Sequence, residues 1–313
     1  MIAALDRWFL APVPSERIAA LRILVGLFGT VYVLVRVPYI LDVAALPDAR
    51  FEPVGVVRVL DEPLPMWSVQ ALLAVTAVLA LTFTVGWLHR ITGPAYAIAL
   101  LATLSYSNSW QHVAHTENLL VLHTAALAIA PATLVWSLDA RRAQRQAPRQ
   151  HSVSGWTVQL MSIITVLTYV VAGVAKVRHG GIDWVTGDVL RNLVAHDNLR
   201  KIVLGDAHSP IGGALVAHGW VFPPMAFAAL LVELGAPLAL LGLRASRVWI
   251  VAAWLFHAGV LAVMAILFVY PLTGIAFASM LRPEALLRWM GAKVRRAASD
   301  EPLVTAYRPP HAG

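Results

Sequence analysis

Residues 150–175 read QHSVSGWTVQLMSIITVLTYVVAGVA, an uncharged and predominantly apolar run. About 20 apolar residues span the hydrocarbon core of a bilayer as a helix, so this run is long enough to cross a membrane. A helix pairs its backbone groups within its own segment, which favours helix over strand inside a bilayer. Uncharged runs of comparable length cover residues 63–88, 91–116, 118–138 and 248–281.

The composition of the whole chain agrees with this first run. Of the 313 residues, 59% are hydrophobic and 13% are charged, and the mean hydropathy is +0.70. A soluble domain of this length cannot bury so much apolar surface. We therefore predict an all-α, polytopic integral membrane bundle of about eight transmembrane helices. The predicted helices cover residues 17–39, 67–88, 91–110, 117–136, 154–177, 220–243, 246–267 and 269–288.

The last two predicted helices come from a single apolar run. Residues 248–281 would form a helix about 51 Å long, whereas the hydrocarbon core is about 30 Å thick. We place a break near Pro271, because proline interrupts helical hydrogen bonding. The piece after the break is short, so it can be re-entrant rather than spanning.

The distribution of charge predicts the orientation of the bundle. The formal net charge is +7, and basic residues cluster at 141–149, at 244–247 and after residue 287, whereas the 42–66 loop is mainly acidic. The positive-inside rule then places both termini in the cytoplasm of a multi-pass cell-membrane protein. Because orientation explains the positive charge, we expect no nucleic-acid partner.

The same pass along the chain predicts one membrane domain with a tail. Residues 1–290 form the predicted domain, and residues 291–313, basic and then proline-rich, are expected to be a disordered cytoplasmic tail. The connector at 178–215 is too long for a tight turn. We expect it to hold an interfacial amphipathic helix around residues 188–204.

Ionisable side chains at membrane depth are costly and usually face the interior of a bundle, so each is a functional candidate. Glu233 could pair with Arg22 across the bundle. His257 lies within a predicted span, where a histidine can also simply hydrogen-bond between helices. The full set of candidates is Arg22, Arg36, His115, His123, Lys176, Glu233 and His257.

Polar residues at helical spacing form a stripe on the predicted helix 154–177. Its members share one face, which is typical of either a cavity or ordinary hydrogen bonding between helices. Lys176 ends the stripe and has two interpretations of its own. Its long stem could carry the ammonium to the lipid headgroups, or a partly desolvated amine could lose its charge and accept a proton. The stripe comprises Gln159, Ser162, Tyr169, Gly173 and Lys176.

Motifs of soluble enzymes are missing from the sequence. His112 and His115 are spaced as H-x-x-H with Glu117 nearby, a pattern compatible with a metal site, with capping or with headgroup contact. The sequence has no cysteine, which excludes Cys-based metal sites, and we expect no metal. It also has no Walker A, H-E-x-x-H or G-x-S-x-G motif, so conventional kinase and hydrolase functions have no support.

Two motifs around the lysine carry a family resemblance. AGVAK at 172–176 and DWVTG at 183–187 resemble the core of the vitamin K-dependent gamma-glutamyl carboxylase. More broadly, they resemble the HTTM family, the horizontally transferred transmembrane domain, over roughly residues 15 to 285. Further segments agree in order: His115 before an apolar helix that ends in Trp136-Ser137-Leu138-Asp139, His218-Gly219 before a helix with Glu233, and Leu255-Phe256-His257 at a later span.

The resemblance implies a quinone-linked membrane enzyme. In the carboxylase, a lysine is thought to deprotonate vitamin K hydroquinone, and oxygen addition then makes a base strong enough to remove a glutamate γ-proton before CO2 traps the carbanion. That lysine matches Lys176, and an assisting histidine matches His115. We therefore expect a quinol, either vitamin K or menaquinone hydroquinone, together with O2 and CO2. The quinol-binding residues expected are Tyr169, Trp184, Glu233 and His257.

The sequence also departs from the carboxylase. The loop before Trp184 is longer, and the carboxylase's extramembrane C-terminal domain has no counterpart after residue 290, so we expect only the quinol-facing membrane core to be shared. The reaction and any protein substrate or partner stay unassigned beyond the lipid bilayer itself. The alternative is a non-catalytic membrane module, either a transporter component or a protein that helps to assemble or modify another.

Overall fold

The computed structural model describes residues 2–110, 115–143, 150–151, 155–186 and 188–299. Within these ranges the chain is helical apart from loops and one two-stranded antiparallel ladder, in which Val13 pairs with His151 and Pro14 with Gln150. The prediction of an all-α bundle is confirmed. The α-helices are α1 (Ile2–Phe9), α2 (Ser15–Ala44), α3 (Met66–Val85), α4 (His89–Ser107), α5 (Asn118–Ala128), α6 (Leu138–Arg142), α7 (Gly155–Gly180), α8 (Asp183–Thr186), α9 (Val189–Leu204), α10 (Pro210–Val216), α11 (Phe222–Leu234), α12 (Leu243–Met264), α13 (Val269–Leu272) and α14 (Pro283–Ser299). The 3-10 helices are Asp48–Arg50, Gly55–Val59, His115–Glu117, Gly219–Val221, Ala236–Leu241 and Ile275–Met280.

Among the described residues, four helices are long and apolar enough to cross a membrane, namely α2, α3, α7 and α12. A fifth span is formed if α10 and α11, which are bent by 107° relative to each other, count as one. The prediction of about eight spans is therefore not confirmed. Several predicted spans are apolar over the expected length, but their helices are shorter. For example, α5 ends at Ala128, three residues before Pro131, which disfavours helical backbone in the residue ahead of it.

The apolar run at 248–281 is divided, as predicted, but at a different position. The helix α12 ends at Met264, and Ala265 adopts a left-handed conformation with φ 51°. Residues 265–268 are not helical, and Pro271 lies inside the short helix α13. Irregular backbone at membrane depth needs partners other than lipid for its polar groups.

Side chains of the connector supply those partners at the end of α12. Three donors, two from α9 and one from Ser209 just before α10, reach the last three carbonyl oxygens of α12. These oxygens accept no hydrogen bond from an amide group of the helix itself. The connector therefore caps α12 from the side. The pairs are Ser209 Oγ with Ala262 O at 2.5 Å, Asn198 Nδ2 with Val263 O at 3.1 Å and Lys201 Nζ with Met264 O at 2.5 Å.

The core is built around α2, which packs against α3 and α5. The core contains a fully buried charged side chain, Arg22, which has no exposed surface. Every donor nitrogen of Arg22 is used by backbone carbonyls, so the charge is solvated by the protein itself. The expected pairing of Arg22 with Glu233 is wrong. The acceptors are the carbonyls of Phe83 at 3.0 Å, Thr84 at 2.5 Å, Ala132 at 3.0 Å and Trp136 at 2.6 Å.

Two further predictions concern the connector and the C-terminal end. A helix was expected around residues 188–204, and α9 covers Val189–Leu204. The predicted domain boundary at residue 290 falls inside α14, which continues to Ser299. Two ion pairs connect α14 with α2, one between Arg17 and Glu284 and one between Glu16 and Arg288. Residues 300–313 of the predicted tail lie outside the described residues.

Candidate functional site

Lys176 and Glu233 form an ion pair at the C-terminal end of α7. The Nζ atom of Lys176 lies 2.5 Å from Oε1 of Glu233 on α11. The two partners differ in accessibility, because the Lys176 side chain is 24% exposed and the Glu233 side chain is 3% exposed. The ammonium therefore points towards a buried carboxylate instead of extending freely towards headgroups.

A glycine allows the two helices to approach closely enough for this pair. Gly173 precedes Lys176 by three residues, which places it on the same face of α7. A Cβ atom at Gly173 would lie 3.0 Å from Cβ of Glu233 and 2.8 Å from Cδ2 of Leu234. Small residues at such positions let helix backbones pack closely in membranes. Gly173 is thus part of the polar stripe as a spacer, not as a polar group.

Trp184 covers the other side of the amine. The chain turns back after α7, and the short helix α8 places the Trp184 ring 5.5 Å from Nζ of Lys176. A cation over an indole ring at this distance is attracted by the ring's electron density. Trp184 is buried, and within the described part of the chain its Nε1 donor has no hydrogen-bond partner.

Tyr169 and His257 form a second buried pair further along the same face of α7. The hydroxyl of Tyr169 and Nε2 of His257 on α12 are 2.6 Å apart. Aromatic rings enclose the pair: Trp249 packs edge-on against Tyr169, and Phe268 packs against His257 with ring centroids 4.8 Å apart. Phe268 ends the non-helical stretch after α12, so the break in that helix borders the Tyr169–His257 pair.

The chain matches the HTTM domain over residues 11–283, which is most of its length. This chain belongs to the HTTM family. Searches of curated proteins and of solved structures gave no match.

The HTTM chain has a second cluster of buried charge, which the sequence did not predict as a unit. Oε1 of Glu117 accepts a hydrogen bond from the Tyr32 hydroxyl at 2.5 Å and lies 3.4 Å from Nη2 of Arg36. Glu117 and Tyr32 border a small cavity of about 20 Å³ together with Tyr270. The signal in the sequence was a pair of opposite charges, Arg36 and Glu117, next to apolar segments.

His123 is a satisfied core histidine in this fold. Its Nδ1 lies 2.9 Å from the Tyr270 hydroxyl, and its Nε2 lies 3.1 Å from Oγ1 of Thr165 and 3.2 Å from the Met161 carbonyl. Both ring nitrogens are therefore used, and the interpretation as an interhelical hydrogen bond applies to this residue.

The predicted site residues are only partly brought together. Lys176 contacts Glu233 and lies beside the Trp184 ring, and Tyr169 with His257 forms a separate pair on the same helix face. His115 begins a 3-10 helix, but its side chain and all of His112 lie outside the described residues. Among the described residues no group of three His, Asp or Glu side chains could hold a metal ion.

Proposed function

We propose that this HTTM protein is a quinone-linked membrane enzyme in which Lys176 takes a proton from a quinol hydroxyl and Glu233 holds the amine ready to do so. The observation that carries the proposal is the 2.5 Å contact between Nζ and Oε1 at the end of a membrane-length helix. In surroundings of low polarity, a charged pair has little advantage over its neutral form, because taking two charges out of water is costly. In the proposal, a quinol that displaces water from the site favours transfer of the proton from the ammonium to Glu233, which leaves Lys176 as the base.

The groups around the amine fit a quinol. A quinol is a flat apolar ring with two hydroxyl groups, and it needs aromatic contact together with a few hydrogen-bonding atoms. Near Lys176, Oε2 of Glu233 and Nε1 of Trp184 are buried and have no hydrogen-bond partner among the described residues. A quinol, when bound, supplies an acidic hydroxyl and the electrons for reduction of O2, and CO2 is the further co-substrate that the family resemblance implies.

Access to the amine is consistent with a ligand that arrives from the lipid. Lys176 is the partly exposed member of the pair, and the neighbouring Val174, Val177 and Leu234 are exposed apolar side chains. A ring carried by an isoprenoid tail could lie against these side chains while its hydroxyl reached Nζ. In the proposed topology both termini are cytoplasmic, so this end of α7 faces outward.

Tyr169 and His257 have a positioning role in the proposal. Their hydrogen bond fixes the face of α7 that carries Lys176, two turns further along the helix. Nδ1 of His257 is buried and has no partner in the described part of the chain, so it can bind a second polar group of the ligand or a water molecule. His115 is retained as the assisting residue on the family resemblance alone.

The test is quinol-dependent O2 consumption by the purified protein in lipid nanodiscs, with menaquinol or vitamin K hydroquinone and bicarbonate. Lys176→Met should lower the rate by about a hundredfold or more, the usual contribution of a positioned base. Glu233→Gln should also lower the rate, because Lys176 would no longer share a proton with a carboxylate. The sequence has three lysines, at 176, 201 and 293, so Lys293→Met on the exposed surface of α14 is the matched control.

Equal turnover by the wild type and Lys176→Met would end the proposal, provided that both proteins unfold at the same temperature. Absence of turnover in every protein, together with co-purification of one defined protein and no extractable quinone, would instead favour the non-catalytic module. These outcomes also bear on whether the protein acts with a partner protein, because an enzyme that acts on lipid-borne quinol needs no second protein for the first proton transfer.

A further inference from the structure

A cavity of about 210 Å³ opens at the end of α7 opposite to Lys176. Parts of several helices that are distant in sequence meet there. Its lining includes Trp8 of α1, Arg17 of α2, Gln159 and Ser162 of α7, Leu243 of α12 and Arg282 before α14. By its position at the N-terminal end of α7, it is remote from the quinol site proposed above.

Two arginines give this cavity a net positive charge. Arg17 donates from Nε and Nη2 to the Glu284 carboxylate, with the closest contact at 2.8 Å, and its Nη1 has no acceptor among the described residues. Arg282 is exposed, and no described side chain forms an ion pair or hydrogen bond with its guanidinium. Two guanidinium groups therefore meet one carboxylate, which leaves one positive charge without a partner.

Uncharged donors surround the same space. Gln159 has no hydrogen-bond partner among the described residues, so its amide is available to a ligand. The helix α12 begins at the cavity with Leu243, and the first amide groups of a helix have no acceptor within it. Together with the arginines, these donors make surroundings that favour an anion.

The apolar surroundings indicate that the anion is part of an amphiphile. Just outside the cavity, Leu238 and Leu241 are 60% and 77% exposed, which suits contact with acyl chains. A volume of about 210 Å³ holds roughly seven water molecules, enough for a headgroup but not for a whole lipid. Basic pockets between membrane helices on the cytoplasmic side bind anionic headgroups in other proteins.

We propose that this cavity binds the phosphate of an anionic phospholipid headgroup, with Arg282 and Nη1 of Arg17 as charged donors and Gln159 as an uncharged donor. Arginine suits this role because its planar fork matches phosphate oxygens in a bidentate manner. The acyl chains lie outside, along Leu238 and Leu241. This site is independent of the quinol chemistry, so either can fail without the other.

The test measures binding of short-chain dioctanoyl phosphatidylglycerol to the full-length protein in detergent, by native mass spectrometry and by calorimetric titration. Parallel titrations use inorganic phosphate and a neutral dioctanoyl glycerol. Arg282→Gln should weaken phosphatidylglycerol binding about tenfold, as expected for loss of one charge-assisted hydrogen bond. Gln159→Leu should weaken it less and leave the net charge unchanged. The matched control is Arg90→Gln, which removes an exposed arginine at the start of α4.

Each outcome decides the proposal. Binding of phosphatidylglycerol that weakens with Arg282→Gln and not with Arg90→Gln supports a lipid headgroup site, and the same pattern with inorganic phosphate alone identifies a soluble phosphate as the source. Equal weakening by Arg282→Gln and Arg90→Gln would show general charge attraction and overturn the site. So would tight binding of the neutral glycerol lipid, or no binding of either phosphate compound.

Discussion

The Lys176–Glu233 pair should behave as one energetic unit, and a double-mutant cycle can measure this. In Lys176→Met, Glu233 keeps a carboxylate that is only 3% exposed and loses its cation. Removing one partner of a fully buried pair costs about 3–5 kcal/mol. Because Lys176 is itself 24% exposed, solvent already weakens the pair, and we expect a loss of about 2–3 kcal/mol in the free energy of unfolding.

The reverse substitution should cost less. In Glu233→Gln, the freed ammonium of Lys176 can move towards the headgroups on its flexible stem, and we expect a loss of about 1 kcal/mol. The double variant Lys176→Met/Glu233→Gln leaves no charge buried. Its loss should fall about 1–2 kcal/mol short of the sum of the two single losses, which is the coupling energy of the pair.

The assay is equilibrium unfolding in mixed micelles by titration with sodium dodecyl sulfate, followed by helical circular dichroism. The same cycle with Lys293→Met in place of Lys176→Met should show additive losses, because Lys293 contacts Trp289 on α14 and not Glu233. Strict additivity for Lys176 and Glu233 would refute the argument, since it would mean that the ammonium and the carboxylate do not interact in the membrane.

Three further predictions use the same unfolding assay. Arg22→Lys should lose about 2–4 kcal/mol although the charge is kept, because an ammonium cannot reach the four carbonyls that the guanidinium fork joins; an unchanged midpoint would show that the charge alone matters. Gly173→Ala should destabilise the protein and reduce quinol turnover, because the added methyl group would clash with Glu233. The control Gly259→Ala has open space around the new Cβ atom and should be neutral or stabilising by up to about 1 kcal/mol. Equal effects of the two substitutions would contradict the spacer role of Gly173. Asn198→Ala should lose about 1–3 kcal/mol, because it removes the donor to Val263 O and the acceptor for a backbone amide, and hydrogen exchange should increase at the end of α12; exchange that stays unchanged there would exclude the cap.

Composition and apolar run length predicted the fold class, but not the number of spans. Hydropathy measures how well side chains suit lipid, whereas a span also needs uninterrupted backbone hydrogen bonds. The α5 region shows the difference: its apolar run continues to residue 138, while the helix ends at Ala128. Likewise α11 ends at Leu234 and continues as the 3-10 helix Ala236–Leu241.

The individual site residues were accessible from sequence, whereas their pairing was not. Lys176, Glu233, Tyr169 and His257 all stand out as polar groups in apolar helices, and the spacing of α7 correctly places Tyr169 and Lys176 on one face. The partner of Glu233 depends on which helices are neighbours and on their rotation. These are set by features such as the close approach at Gly173, which hydropathy does not report.

In the proposed reaction, accessibility decides which member of the pair meets the ligand. Glu233 on α11 is buried against α7, whereas Lys176 is partly exposed, so a ligand that arrives from the bilayer would meet Lys176 first. In the proposed reaction the carboxylate acts through the amine and does not contact the substrate. Trp184 covers the other side of the amine, with its ring 5.5 Å from Nζ. A lysine at the same helix end without the buried carboxylate would be a headgroup contact, and the carboxylate without the lysine would be an isolated buried acid. In the proposed function, only the two together act as a base that opens towards the lipid.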